Sequence, residues 1–104
     1  MKKNLNNRCI TAALEILGDK WSPLIVKSFD GMPQLRYCEI ERAVDGISPA
    51  ILSARLNALE ERGVIVRSQY SARPPRFAYG LTTKGSDLLQ IIAGMADWAD
   101  KYAT

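Results

Sequence analysis

The 104-residue chain has no histidine, so it lacks the side chain that most often acts as a general base or metal ligand near neutral pH. Nothing takes its place, because there is no Gly-rich phosphate loop and no Cys/His cluster at metal-ligand spacing. The carboxylates Glu39, Glu41, Glu60, Glu61, Asp97 and Asp100 are scattered over what read as helix surfaces. These absences argue against an enzyme and against a bound metal or cofactor. Cys9 and Cys38 are the only cysteines, too few for a disulfide framework. No apolar run approaches the roughly 18 residues of a membrane helix. The opening Met1-Lys2-Lys3-Asn4-Leu5-Asn6-Asn7-Arg8 carries charge with no apolar stretch behind it, unlike a secretory signal. The expectation is a cytoplasmic protein with no membrane partner.

What is present is a compact vocabulary of helix starts, helix stops and one basic ribbon. The length and the 47% apolar content suit a single domain over residues 1–104. The formal charge of +3, from 14 basic and 11 acidic residues, is too small to argue for nucleic acid by itself. Its distribution says more. Arg67, Arg73 and Arg76 fall between Val66 and Leu81 with no acid among them, which points to an anionic partner for that segment.

Ile10, Ala13, Leu14 and Leu17 recur at helical spacing in a first helix from about Cys9 to Leu17, stopped by Gly18. Ser22-Pro23 reads as the start of a second helix, with Ser22 as N-cap and Leu24, Ile25 and Phe29 as its inner stripe. A short third helix from about Tyr37 to Val44 carries Tyr37, Ile40, Ala43 and Val44, with Cys38 expected as a small core residue. Ser48-Pro49 opens a fourth helix of about residues 49–62, on which Leu52, Leu56 and Leu59 share a face. Ala50, Ser53, Ala54 and Asn57, all small or polar, occupy the opposite face, and Gly63 ends the helix. Val64–Tyr70 and Arg76–Leu81 read as two strands of a ribbon, with Pro74-Pro75 in the loop between them because proline cannot donate a ladder hydrogen bond. Thr82-Thr83 then caps a long helix over about residues 83–102. Leu88, Leu89, Ile91, Ile92, Met95, Trp98, Ala99 and Tyr102 give it an apolar face wider than one small domain needs, which suggests packing on a second copy.

A helix leading straight into a basic ribbon predicts a mainly α fold with a small β-hairpin, a winged helix-turn-helix. The helix-turn-helix would span about residues 22–62, the wing about 64–81. Four sequence blocks resemble one family of such proteins. They are Leu14-Glu15-Ile16-Leu17-Gly18-Asp19-Lys20-Trp21-Ser22-Pro23-Leu24-Ile25; Leu35-Arg36-Tyr37-Cys38-Glu39-Ile40; Gly46-Ile47-Ser48-Pro49 with Leu52, Leu56, Leu59, Glu60 and Gly63; and Pro74-Pro75-Arg76 with Tyr79, Leu81, Thr82, Lys84 and Gly85. In that order they resemble the HxlR-type regulators, related to the MarR-like regulators. The resemblance implies a prokaryotic transcription regulator that binds DNA as a homodimer through its first and last helices. Some family members sense electrophiles or oxidants through a cysteine at the start of the first helix. Here Cys9 is the redox candidate, although Arg8 occupies the family cysteine's place and Ile10 stands where a proline usually follows.

The site residues follow from this reading. Ser48, Ala50, Ser53, Ala54, Arg55 and Asn57 are candidate major-groove contacts, and Arg55 is also placed to meet a phosphate. Arg73 and Arg76 in the basic tip, residues 71–76, are candidates for backbone or minor groove, with Arg76 alternatively pairing with an acid such as Glu39. Arg36 and Lys20 are weaker phosphate candidates. Leu5, Leu88, Leu89, Ile92, Met95, Trp98 and Tyr102 are assigned to the dimer interface. Trp21 and Trp98 read as core and dimer residues, with an effector pocket near the seam as the rarer use of such aromatics. The expected partners are double-stranded DNA bearing a pseudo-palindromic operator, a second copy of the chain and an unidentified small-molecule effector. The rival reading is a winged helix used only for protein association, motivated by the modest charge and the alanines on the fourth helix.

Overall fold

The computed structural model describes residues 5–103, with side chains from Cys9 onward. Among these residues the order is α1 (Leu5–Leu17), α2 (Trp21–Lys27), β1 (Leu35–Arg36), α3 (Tyr37–Ala43), α4 (Pro49–Glu61), β2 (Ile65–Ala72), β3 (Pro75–Leu81) and α5 (Thr83–Tyr102). The architecture is mainly helical with a three-stranded antiparallel sheet in the order β1-β3-β2. Strand β1 was not expected. It is two residues long, below the length at which alternation can be read, and it pairs Leu35 with Tyr79 and Arg36 with Ala78.

The core forms where α2, α3, α4 and α5 converge on the sheet. Ile25, Val26, Phe29, Ile40, Leu52, Leu56, Leu59, Val64 and Ile65 are almost fully enclosed there. The inner stripe of α2 is Ser22, Ile25 and Val26, continued by Phe29 in the turn that follows, so Leu24 points outward, contrary to expectation. Ser22 is therefore part of the buried stripe and not the N-cap. The cap is supplied by Asp19, whose Oδ2 accepts the backbone N–H of Trp21 and of Ser22, each at 2.9 Å. Cys38 and Ala43 face solvent, because a seven-residue helix buries only a narrow stripe, here Tyr37, Ile40 and the following Val44.

Helix α4 has the expected termini. Ser48 is the N-cap, its hydroxyl accepting the Ile51 N–H at 3.2 Å, with Pro49 at the first helical position. Gly63 adopts φ 75° just beyond its end, a conformation that side-chain-bearing residues rarely take. The ribbon extends further than the sequence suggested. Strand β2 runs to Ala72, and Pro75 opens β3 opposite it instead of lying in the loop, leaving Arg73-Pro74 as the tip. A proline is accommodated at the first position of a strand, where a missing donor costs little. A bulge between Gln69 and Ser71 interrupts the pairing.

Thr82 caps α5 by accepting the Gly85 N–H at 3.1 Å. On α5, Gly85, Leu88 and Ile92 sit in the subunit's own core and Leu89 packs partly against it. Leu88 and Ile92, assigned to the dimer interface from the sequence, are thus buried within the subunit's own core. A neighbouring stripe of Ile91, Met95, Trp98 and Tyr102 is exposed. The side chain of Leu5 lies outside the described residues. Among the described residues, no helix is long and apolar enough to cross a membrane.

Candidate nucleic-acid interface

Burying Leu52, Leu56 and Leu59 fixes the rotation of α4 and turns its other side outward. Ala50, Ser53, Ala54 and Asn57 form that outer face, at i, i+3, i+4 and i+7, with Ser48 exposed at its start. The face is low and polar enough to let another surface approach the helix closely. Tyr37 of α3 reaches over to it. Its hydroxyl donates to the Pro49 carbonyl oxygen at 3.1 Å and stands 3.3 Å from Ser53 Oγ. Sequence patterning placed Tyr37 on an apolar stripe and gave no hint of this contact.

The charged side chains bordering α4 are engaged within the fold. Arg55 Nε lies 3.6 Å from Asp19 Oδ2, an ion pair without hydrogen-bond geometry, and that nitrogen is enclosed with no hydrogen-bond partner. Burial raises the cost of ionising Asp19. The hydrogen bonds from Ser22 and Trp21, together with the Arg55 charge, outweigh it and hold the carboxyl below its ordinary pKa. Arg55 is thus drawn toward the start of α2. Arg62 approaches Glu15 at 3.8 Å, while its carbonyl oxygen accepts the Lys84 ammonium at 2.7 Å.

In the ribbon, Arg67 approaches Glu60 at 3.9 Å and lies over the Phe77 ring, 4.7 Å from its centre. Tyr79 sits opposite Arg67, and burial pushes its phenol above the ordinary pKa, with the Glu60 charge adding to the effect and Arg67 opposing it. The Arg36 guanidinium lies over the Tyr70 ring at 5.0 Å, while its backbone N–H donates to Glu39 Oε1 at 2.8 Å. Glu39 is thus engaged with Arg36. Among the described residues Arg73 and Arg76 are exposed and have no ion-pair partner, so the net positive charge of the ribbon collects at its tip. Lys20 lies over the Trp21 ring at 4.7 Å. Among the described residues no group of three or more potential metal ligands occurs.

Residues 16–104 are matched by a family model described as HxlR-like helix-turn-helix. The chain belongs to this family. It is 32% identical over 100 residues to the regulatory protein MalR of Fusobacterium mortiferum, covering 96% of this chain and 94% of that one. A MarR-family transcriptional regulator from Porphyromonas gingivalis W83 superposes with a TM-score of 0.83 at 32% identity, over 98% of this chain and 99% of the other. The reduced form of the transcriptional regulator YodB from Bacillus subtilis gives a TM-score of 0.77 at 28% identity, over 98% and 95% of the two chains. YodB has also been solved after diamide treatment. The chain is a winged-helix transcriptional regulator of the HxlR and MarR-like kind, and its relatives are regulators of transcription rather than enzymes.

Proposed function

We propose that this HxlR-like protein is a sequence-specific regulator that binds double-stranded DNA as a homodimer. Helix α4 enters the major groove through Ser48, Ala50, Ser53, Ala54 and Asn57. The ribbon tip lies on flanking backbone or minor groove through Arg73 and Arg76, with Arg36 as a further phosphate contact. Arg55, held toward Asp19, borders this surface and has less reach into it. The observation that carries the reading is the pairing of a small exposed face on α4 with two uncompensated arginines at the ribbon tip. A homodimer would place two such units on a pseudo-palindromic operator about one helical turn apart.

The dimer reading draws on the exposed stripe Ile91, Met95, Trp98 and Tyr102, with Ile10 and Leu14 exposed on α1. Ile91, Gly94, Met95, Trp98 and Ala99 line an open apolar hollow of about 580 Å³, which a second copy would cover. Fluorescence anisotropy on the protein's own promoter region tests the function. Binding that weakens steeply with salt and drops in both Arg73→Ala and Asn57→Ala is expected. Absent or salt-insensitive binding at low ionic strength would favour protein association as the role of the fold.

A second reading adds thiol control. Cys9 is exposed on α1, and the B. subtilis relative is known in reduced and diamide-treated forms. Peroxide or diamide treatment followed by mass spectrometry and DNA titration tests it. An unmodified Cys9, or unchanged affinity of the modified protein, removes it.

A further inference from the structure

The Tyr37 hydroxyl touches two groups on α4, and only one assignment of hydrogens satisfies both. It is 3.1 Å from the Pro49 carbonyl oxygen and 3.3 Å from Ser53 Oγ. A carbonyl oxygen has no hydrogen to give, so the single phenolic hydrogen of Tyr37 is committed to Pro49. The contact with Ser53 must then use the serine's hydrogen, donated from Oγ to the phenolic oxygen. Ser53 itself is exposed on the outer face of α4, and donating its hydrogen leaves both lone pairs of its oxygen to accept.

We infer that Tyr37 fixes the polarity of Ser53, so that the serine meets a DNA base as a hydrogen-bond acceptor only. A free serine accepts or donates and tolerates either kind of base edge. With its hydrogen held by Tyr37, Ser53 favours a base that offers an exocyclic amine in the major groove, N6 of adenine or N4 of cytosine. It disfavours the keto oxygens of thymine and guanine on the same strand. Tyr37 is thus a positioning residue for specificity, acting through Ser53 from the neighbouring helix. The inference rests on the major-groove reading of α4.

The test is a single-base substitution series across a bound operator, measured by anisotropy at one salt concentration for the wild type, Tyr37→Phe and Ser53→Ala. Ser53→Ala is expected to abolish the preference at one position per half-site. There the wild type should favour adenine or cytosine by about fivefold to tenfold, the worth of one hydrogen bond. Tyr37→Phe should reduce that ratio to below about twofold, leaving the other positions and the salt dependence unchanged, because the ring and its packing are kept. A measurement on the unaltered protein complements these variants. Where the position is adenine, replacing it by the purine that lacks the 6-amino group should lose the same fivefold to tenfold.

Three results overturn the inference while leaving DNA binding intact. They are a Tyr37→Phe profile identical to the wild type at the Ser53-dependent position, a preference for thymine or guanine there, or no position that responds to Ser53→Ala. Absence of salt-dependent binding by the wild type removes the major-groove reading itself, and the inference with it.

Discussion

Arg55 Nε faces Asp19 Oδ2 at 3.6 Å, and the same carboxylate oxygen accepts the first two free N–H groups of α2. One side chain therefore starts α2 and holds the flank of α4. The carboxylate is fixed from one side by backbone hydrogen bonds, which leaves Arg55 as the mobile partner. This is a structural use of an arginine that the sequence pattern offered to DNA.

Acid should expose the role of Asp19. Its pKa is lowered in the fold, so its charge stabilises the protein fully above the unfolded value of about 3.9, and the stabilisation is lost as pH falls through the lower folded value. Asn caps a helix as well as Asp but carries no charge. Asp19→Asn should unfold at lower urea than the wild type at pH 7, and the gap should close as pH drops below about 4. A gap that stays constant from pH 7 to pH 3 would contradict the assignment. Asp19→Ala also removes the cap and should cost a further 0.5–2 kcal/mol or so.

Arg73 should contribute affinity without contributing stability. It is exposed, and among the described residues it has no ion-pair partner. Arg73→Ala should leave the melting temperature unchanged and weaken binding to all sequences alike. The slope of log affinity against log salt should fall by about 0.9 for each phosphate that is no longer neutralised, hence by about 2 for a dimer. An unchanged slope would place the tip away from DNA.

Leu56 and Asn57 are adjacent in sequence and should behave oppositely. Leu56 is almost fully enclosed whereas Asn57 is exposed. Leu56→Ala should destabilise by about 2–5 kcal/mol in urea unfolding. Asn57→Ala should fall within about 0.5 kcal/mol of the wild type and yet impair operator binding. Comparable losses of stability in both variants would mean that α4 is rotated differently.

The proposed self-association surface can be probed with Trp98→Asp, since Trp98 is 63% exposed. Placing a charge in an apolar seam should shift sedimentation from dimer to monomer while leaving the helical circular dichroism intact. A variant that sediments like the wild type would move the interface elsewhere.

Much of this fold was legible because its punctuation is chemical. Ser48-Pro49, Gly63 and Thr82 each serve a backbone requirement that few residues satisfy, and the structure uses all three as read. Elsewhere a local rule met a stronger competitor. Ser22 has the right residue type for a cap, but Asp19 captured the helix start and Ser22 was buried. At the ribbon tip, Pro75 entered the strand because its position requires no donor. The outer face of α4 followed directly from the leucine spacing. The contact from Tyr37 could not, since it joins residues that are 16 apart and depends on how two helices cross. Division of the α5 stripe between Leu88 and Ile92 inside and Met95 and Trp98 outside was hidden for the same reason: periodicity gives the width of an apolar face and not its partners.

The junction between α4 and α5 has a consequence for reach. The Thr82 hydroxyl donates to the Gly63 carbonyl oxygen and its backbone N–H to that of Val64, Lys84 donates to that of Arg62, and a Cβ at Gly85 would run into the Val64 carbonyl. The chain leaving α4 is in this way clamped to the first turn of α5. In a dimer joined along α5, the clamp would convert the crossing angle of two C-terminal helices into the distance between two α4 helices. The tolerated spacing of operator half-sites would then be a property of Met95, Trp98 and Tyr102, residues that need never come near a base.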